Sequence, residues 1–210
     1  MAQTVDWVKA FQPLLELYGN KKHPLNYRNR YQLLVMVVLS AQSSDKLINE
    51  NVAPAFFTAY PTMSALAKAS PSELIPLLRN VRNFGSKAEW LVSIAAAVKS
   101  DDAIPHSMKE LTALPGIGRK SANVIIRESG EPAEGIIVDL HVIRVAPRLG
   151  VVTSENPVQI EKQLMKILPQ KIWGDIGMDL SFLGREICRP TNPKCEQCVM
   201  KVVCEYYKKQ

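Results

Sequence analysis

The spacing of apolar residues constrains this chain more than any other feature, because that spacing is helical almost throughout. The segment "RYQLLVMVVLSAQ" (30–42) is apolar on all sides and long for a strand, so it predicts a buried helix. No segment alternates apolar and polar residues over several positions, and no Asn-Gly hairpin signal occurs. The sequence therefore predicts an all-α fold of roughly ten helices joined by short loops.

Two further segments carry the signature of a helix start. Both "SPSELIPLLRN" (70–80) and "SMKELTAL" (107–114) begin with Ser-x-x-Glu, in which each side chain accepts a hydrogen bond from the other residue's backbone amide. Pro71 suits the first helical position, and Pro115 ends the second helix early. The sequence also predicts a first helix that ends at Gly19, with a buried face formed by Val5, Val8, Phe11, Leu15 and Tyr18.

The stretch "LPGIGRKSANVII" (114–126) places a tight turn directly before a helix. Gly116 and Gly118 allow positive φ and a close approach to a ligand, and the helix then begins with Arg119 and Lys120. Cations in a first turn face the positive end of the helix dipole, so a bound anion would offset them. The amides of such a turn form an anion nest that suits a DNA backbone phosphate. The residues equally allow a plain pair of helices joined by a glycine turn.

Lys120 and Asp139 are candidate reactive residues. The helix dipole and Arg119 disfavour the charged form of Lys120, as in many lysine nucleophiles, whereas a nearby phosphate would favour it. Asp139 follows a Gly/Pro loop and the apolar residues 136–138, which place it at the start of the next helix. The residues leave two interpretations of each: a surface lysine or a nucleophile, and a helix N-cap or a carboxylate presented to a substrate.

All cysteines of the chain lie in "CRPTNPKCEQCVMKVVC", at Cys188, Cys195, Cys198 and Cys204. Four thiolates within 17 residues are typical of a metal site in a cytosolic chain, where disulfides are rare. Their chemistry fits either a zinc ion or a [4Fe–4S] cluster. The histidines are too scattered along the sequence to form a metal site of their own.

Charge gives a mild basic bias. The chain has 26 Lys and Arg against 20 Asp and Glu, a net charge of +6, which is compatible with a polyanionic partner but not specific for one. The segment "KKHPLNYRNR" (21–30) concentrates cations without an acid, as either a phosphate contact or a solvated loop. His23 within it, like His106, is expected to be an ordinary loop residue.

We expect neither a membrane-spanning segment nor an export signal in this sequence. Its longest apolar run, "LLVMVVLSA" (33–41), is far shorter than a membrane span. The N-terminal residues lack the pattern of a signal peptide. We therefore expect a cytoplasmic protein without a membrane partner.

Four segments together carry a resemblance to a known family. They are "LSAQSSD" (39–45), "LPGIGRKSANV" (114–124), "GEPAEGIIVDLH" (130–141) and the cysteine segment, in the order and spacing of the helix-hairpin-helix DNA glycosylases. The chain most resembles the endonuclease III family, the branch with a catalytic lysine and an iron–sulfur cluster. The resemblance runs from about residue 20 to the C-terminus, and the combination of motifs is highly specific although each motif alone is not.

The resemblance implies a base-excision-repair DNA glycosylase with AP lyase activity. Its partner would be double-stranded DNA containing damaged bases, oxidised pyrimidines above all, or abasic sites. Lys120 matches the family lysine that attacks C1′ and forms a Schiff base, after which β-elimination nicks the strand. Asp139 matches the aspartate that stabilises positive charge at the sugar. The target base is flipped out, Gln42 matches the glutamine that fills the vacated space, and His141 is expected to reach the orphaned base.

The resemblance also implies an architecture and a cofactor. It predicts a six-helix lobe over 22–136, a second lobe formed by 1–21 and 137–210, and DNA in the cleft between the lobes. It selects a [4Fe–4S] cluster as the cofactor of the four cysteines. Gly116, Gly118 and Arg119 would contact a phosphate, and Lys194 would extend the DNA surface from the cysteine loop. We expect a monomer of bacterial or archaeal type that associates with the nucleoid through DNA.

Two departures from the family pattern leave the lesion preference open. The usual "VDTH" reads "VDLH" here, so that Leu140 replaces a hydroxyl residue beside Asp139. The segment "RNVRNFGSKAEW" (79–90) has Arg82 and Asn83 where the family offers a glycine and an apolar wedge. Asn83 is therefore the candidate DNA contact at that position.

Two other functions stay in view. A glycosylase for mismatched thymine, uracil or adenine would share the fold, but the adenine-removing relatives usually lack the hairpin lysine that Lys120 matches. A non-enzymatic DNA-binding protein with a structural zinc would need neither Lys120 nor Asp139. Such a protein would be colourless when purified, whereas an iron–sulfur protein is brown.

Overall fold

The computed structural model describes residues 5–209, and all regular structure in that range is helical. The all-α prediction is confirmed. Residues 1–4 and 210, which the two-lobe expectation also assigned, lie outside this description. The contacts of the chain group it into two units. We call His23–Glu131 the hairpin unit, and the segments up to Lys22 and from Pro132 onward the cysteine unit.

The described residues form more helical segments than the ten expected, because several are single capped turns. A π-helical turn, Ile48–Val52, follows the fourth helix, and 3-10 turns occupy Asp101–Ala103, Gln170–Ile172 and Cys195–Gln197. The α-helices are α1 (Trp7–Ala10), α2 (Gln12–Tyr18), α3 (Arg30–Ser40), α4 (Asp45–Leu47), α5 (Ala53–Ala59), α6 (Met63–Leu66), α7 (Pro71–Leu78), α8 (Phe84–Val98), α9 (Met108–Thr112), α10 (Arg119–Glu128), α11 (Leu140–Leu149), α12 (Pro157–Ile167), α13 (Trp173–Glu186) and α14 (Glu205–Lys208).

Helix α3 forms the centre of the hairpin unit. Every residue from Tyr31 to Leu39 except Gln32 is buried, as its uniformly apolar sequence predicts. Burying such a side chain contributes roughly 1.5–3 kcal/mol relative to exposure, so this helix dominates the core. Helices α8 and α10 pack against α3. Helices α8 and α10 are therefore both supported by a buried helix.

The helix starts predicted from Ser-x-x-Glu are confirmed. Ser70 and Glu73 form a capping box at α7, with Pro71 in its first turn. Ser107 caps α9, where its side chain accepts from the Glu110 amide at 3.3 Å. Helix α9 is short because the Pro-Gly turn follows it directly.

Helices α11 and α13 pack closely together in the cysteine unit, and α2 also packs against α13. Gly184 of α13 permits this approach, since a Cβ there would lie 2.8 Å from the Cβ of His141. The Tyr18 hydroxyl of α2 donates to the Glu186 carboxylate at 3.2 Å. Helix α13 thus supports the helix that begins after Asp139.

The predicted first helix is interrupted, which corrects that expectation. Helix α1 ends at Ala10 and α2 begins at Gln12, with Phe11 between them. Pro13 has no N–H to continue the backbone ladder, so the chain restarts the helix around it. The buried residues of this segment are Phe11, Leu14 and Tyr18.

A membrane-spanning helix would need more length and more apolar residues than any helix within 5–209 provides.

Candidate active site and cysteine pocket

The turn between α9 and α10 has the geometry that its two glycines predict. Gly116 has φ +76°, in the left-handed region. A Cβ at this position would lie 2.8 Å from Cδ2 of Trp90 and closer still to Cε3, so a larger residue would collide with the indole ring. The turn is therefore pressed against α8 at a place where only glycine fits.

The N-terminus of α10 is open to solvent. Gly118 is the N-cap and offers no side-chain cap, and the first turn contains no acid. Arg119 and Lys120 are exposed, whereas Ala122 to Ile126 are buried in the unit. The first amides of a helix have no intrahelical carbonyl to bond. Open amides beside two cations make this end suited to an anion.

His23 is a residue of this region whose environment the sequence did not reveal. It lies in a loop, as expected, but it is half-buried, and burial lowers its pKa to about 4. The charges of Glu128 and Asp45 oppose that shift, while Lys120 and Arg127 add to it. The Leu25 amide donates to its Nδ1 at 3.1 Å, which leaves the proton of the neutral ring on Nε2.

Gln42 and Asn83 are exposed residues with left-handed backbone, at φ 58° and 56°. Gln42 follows the end of α3, and Asn83 is the N-cap of α8 without a side-chain capping bond. Residues other than glycine rarely adopt this conformation, and they concentrate at functional sites. The structure brings their loops together, because the Arg82 amide donates to Ser43 Oγ at 3.2 Å.

Asp139 belongs to the cysteine unit, where it serves as the N-cap of α11. Its Oδ1 accepts from the amides of His141 and Val142, each at 2.9 Å. Its Oδ2 accepts from the hydroxyl of Ser181 at 2.6 Å. The N-cap interpretation is correct, and the half-buried carboxylate is held in one orientation by three donors.

Ser181 is a supporting residue that the sequence analysis missed. It lies on α13, is 0% exposed and reaches Asp139 across the packed pair of helices. No local motif marks it, since it is one hydroxyl in an apolar helix far along the chain. His141 follows in the first turn of α11, where its Nδ1 lies 3.3 Å from an Arg144 guanidinium nitrogen. Leu140 is 67% exposed beside Asp139.

The four cysteines line one pocket of the cysteine unit, together with apolar residues of α11 and α13. Burial raises the pKa of Cys198 to about 11, and the charges of the other three cysteines add to the shift. Within residues 5–209, no group of His, Cys, Asp and Glu closes to the geometry of a single ion. An all-sulfur donor set is one that both a zinc ion and an iron–sulfur cluster accept.

Two arginines of α11 hold the loop that carries Cys188. Arg144 donates to the Cys188 carbonyl at 3.0 Å and to the Gly184 carbonyl at 2.8 Å. Arg148 donates to the Arg189 carbonyl at 2.8 Å and approaches the Cys188 sulfur at 3.6 Å. The helix that starts after Asp139 is therefore also the anchor of the cysteine loop. Lys194 of this loop is exposed.

The predicted site residues divide between the two units. Lys120, Arg119, the hairpin glycines, Gln42 and Asn83 lie in the hairpin unit, whereas Asp139, His141, Lys194 and the cysteines lie in the cysteine unit.

The fold, the hairpin and the cysteine pocket define a class of protein. Residues 35–170 match the family described as HhH-GPD superfamily base excision DNA repair protein, and the chain belongs to this family. Among its relatives, the endonuclease III of Thermotoga maritima is 36% identical, over 90% of each chain. The endonuclease III of a Synechocystis species is 35% identical, over 91% of this chain and 88% of its own.

Solved structures give the same result. A non-covalent endonuclease III–DNA complex and a trapped endonuclease III–DNA covalent intermediate each match with a TM-score of 0.87 over 98% of both chains, at 32% and 31% identity. A thermostable thymine-DNA glycosylase shares the fold at a TM-score of 0.81 and 22% identity. The resemblance to the endonuclease III family is confirmed.

Proposed function

We propose that the protein is a base-excision-repair DNA glycosylase with AP lyase activity. The observation that carries this proposal is the open N-terminus of α10, where Lys120 stands exposed beside Gly118 without an acid in the first turn. The relatives at 31–36% identity are endonucleases III, and two of the matching structures are complexes with DNA. This support extends over nearly the whole chain.

Lys120 would act as the nucleophile. Its unprotonated amine attacks C1′ of the flipped nucleotide, the C1′–N bond to the base breaks, and the base leaves with the bonding electrons and takes up a proton. The attached amine loses one proton, the C1′–O4′ bond breaks as O4′ takes up a proton, and the opened sugar is left as a protonated Schiff base. Abstraction of a C2′ proton then expels the 3′ phosphate, which nicks the strand. An amine is the side-chain group able to form such an imine.

Asp139 would supply a fixed negative charge for this chemistry. Breaking a glycosidic bond develops positive charge on the sugar, and a carboxylate that is already oriented stabilises it without reorganisation. Three hydrogen bonds hold the Asp139 carboxylate in place. We assign it this electrostatic role and a share in moving the sugar's protons.

The exposed residues at the ends of helices would bind the DNA. Gly116, Gly118 and Arg119 would hold a backbone phosphate at α10, and Lys194 would add a contact from the cysteine loop. Gln42 and Asn83 would enter the space of the flipped base, with His141 at the orphaned base. The preferred lesions would be oxidised pyrimidines, and the protein would act as a monomer on chromosomal DNA in the cytoplasm.

Cys188, Cys195, Cys198 and Cys204 would hold a [4Fe–4S] cluster, because all four thiols line one pocket. When bound, the cluster would cross-link the loop and keep Lys194 ordered. Arg144 and Arg148 hold the same loop through its carbonyls. The arginines would position the backbone of the loop, and the cysteine thiolates would bind the cluster.

A changed lesion preference is a second candidate, favoured by Leu140. This side chain is 67% exposed beside the carboxylate of Asp139, where it would present an apolar surface to the nucleotide. Mismatched thymine carries a methyl group that such a surface would contact. Removal of thymine or uracil from mismatches therefore belongs in the same lesion panel.

Borohydride trapping on a duplex with one abasic site tests the proposal. We expect the cluster-loaded protein to form a covalent protein–DNA band that Lys120→Gln abolishes. Lys68→Gln, which changes an exposed lysine of the same unit, should trap as the unaltered protein does. If the folded, brown protein gives no trapped band, the lyase assignment is wrong.

A further inference from the structure

Lys87 is a buried lysine that the proposed chemistry does not use. It lies on α8 and is only 1% exposed, a rare location for a lysine. Its Nζ donates to the Leu39 carbonyl at 2.7 Å and to the Ala41 carbonyl at 2.6 Å. These carbonyls lie at the C-terminal end of α3, where the helix dipole is negative and the last carbonyls lack intrahelical donors. Burial lowers the pKa of Lys87 to about 8, so the ammonium form still predominates at neutral pH.

The bond to Ala41 acts directly on Gln42. The carbonyl of Ala41 and the amide of Gln42 belong to one rigid peptide plane. Holding that oxygen therefore sets the orientation from which the left-handed backbone of Gln42, at φ 58°, begins. Such a conformation is unfavourable for a residue with a Cβ and persists only where the surroundings determine it. The hydrogen bond from the buried Lys87 side chain to the Ala41 carbonyl is one such constraint.

The main chain of Lys87 is tied to the second left-handed residue. Its amide donates the ordinary first-turn helix bond to the Asn83 carbonyl at 3.1 Å, which fixes position 87 one helical turn after Asn83. One residue thus contacts the peptide before Gln42 with its side chain and Asn83 with its backbone. The bond from the Arg82 amide to Ser43 Oγ, at 3.2 Å, fastens the same two loops a second time. Both loops end in exposed amide side chains, which carry a donor and an acceptor for a base edge.

We propose that Lys87 is a positioning residue that holds Gln42 and Asn83 as one rigid pair for entry into the duplex. This inference rests on the proposed function, because the pair needs a DNA substrate to act on. Lys87 itself stays in the interior and touches no DNA. Its loss would leave the reactive groups of Lys120 and Asp139 intact but would let the Gln42 loop relax.

The test measures insertion and turnover separately, on full-length, cluster-loaded protein. A duplex with 2-aminopurine opposite a stable abasic analogue reports insertion through its fluorescence. A duplex with a natural abasic site gives kcat/KM and the borohydride-trapped band. The proteins compared are the unaltered chain, Lys87→Met, Gln42→Ala, the double variant and Lys68→Met. Lys68 is an exposed lysine of the same unit and serves as the matched control.

We expect Lys87→Met to lower kcat/KM on the order of 10²-fold and to reduce the fluorescence change as Gln42→Ala does. The double variant should lose no more kcat/KM than the more severe single variant, because both changes impair the same insertion step. Lys68→Met should match the unaltered chain. If the effects of Lys87→Met and Gln42→Ala multiply, or if Lys87→Met leaves the fluorescence change intact, the positioning role is wrong.

Two further outcomes keep the inference testable. If Lys87→Met does not fold, Ser43→Ala removes the second fastening from a half-buried position, and its effect must likewise fail to multiply with that of Gln42→Ala. If the unaltered protein gives no trapped band, the proposed function itself fails. If the unaltered protein is trapped but the effects of Lys87→Met and Gln42→Ala multiply, only the positioning role of Lys87 is wrong.

Discussion

Asp139 shows how one side chain can serve both architecture and chemistry. One oxygen caps α11 and the other accepts from Ser181. Asparagine caps a helix as well as aspartate does, but it carries no negative charge. The two roles can therefore be separated by choosing the replacement.

We expect Asp139→Asn to lower the free energy of unfolding by about 1–3 kcal/mol, because the cap is kept but the buried Ser181 hydroxyl loses its carboxylate acceptor. Its rate of base removal should fall on the order of 10²-fold, because the charge is lost. Asp139→Ala should lose both the cap and the rate. Urea unfolding and single-turnover base removal measure the two effects. Full activity in Asp139→Asn would assign Asp139 to architecture alone.

His23 should give the protein a pH-dependent stability. Its pKa is about 4 in the folded protein against an ordinary 6.5, so the unfolded chain binds more protons between these values. The contribution of neutral His23 to the free energy of unfolding is fully present above pH 6.5 and is lost as the pH falls towards 4.

Thermal melting from neutral to acidic pH checks this expectation. His23→Asn keeps an oxygen that can accept the Leu25 amide but has no group that titrates in this range. Its melting temperature should fall less steeply with decreasing pH than that of the unaltered chain. Parallel curves would show that groups other than His23 govern the acid response.

At the scale of elements, the turn between α9 and α10 depends on a glycine for two reasons. Gly116 has a positive φ, and its neighbour Trp90 leaves no room for a Cβ. Gly130, after the other end of α10, has φ +73° but open space around it. The two positions share the backbone requirement and differ in the steric one.

Alanine at each position should separate these costs. Gly130→Ala should destabilise by about 1–2 kcal/mol, the cost of a left-handed residue with a Cβ. Gly116→Ala should lose a further 1–3 kcal/mol, roughly, because Trp90 must move. Urea unfolding of both variants measures the difference. Equal losses of stability in the two variants would mean that Trp90 of α8 moves aside without a cost in free energy.

Local signals at helix ends could be predicted, and contacts across elements could not. The capping box at Ser70, the cap at Ser107 and the glycine of the hairpin follow from neighbours in the sequence. The left-handed backbone of Asn83 has a weak local signal, because asparagine tolerates this conformation better than most residues, whereas glutamine at position 42 gives none. The peptide before Gln42 instead has a distant partner in Lys87, which lies 46 residues from Ala41 in the chain.

The whole molecule carries a net charge of +6, which should make its binding to DNA dependent on salt. Lys194→Glu and Lys68→Glu change this net charge equally, so a comparison isolates position. We expect Lys194→Glu to weaken binding and to reduce the salt slope by about 1, because a phosphate contact is lost. Lys68→Glu should keep the slope. Titrations of an abasic-analogue duplex over a range of salt concentrations measure the salt slope of each variant. An unchanged slope in Lys194→Glu would mean that Lys194 does not contact the DNA.

The helical class, the glycine turn and the spacing of the cysteines could be predicted without a structure, because they depend on residues close together in the chain. The sequence also carried the motifs of the family, which the relatives and the matching structures confirm. The distant groups that support the site became visible only in the folded chain. The buried hydroxyl of Ser181 at Asp139 and the buried ammonium of Lys87 before Gln42 are examples. Such polar groups enter a core only where packing supplies a partner, and that partner is chosen by the fold rather than by sequence neighbours.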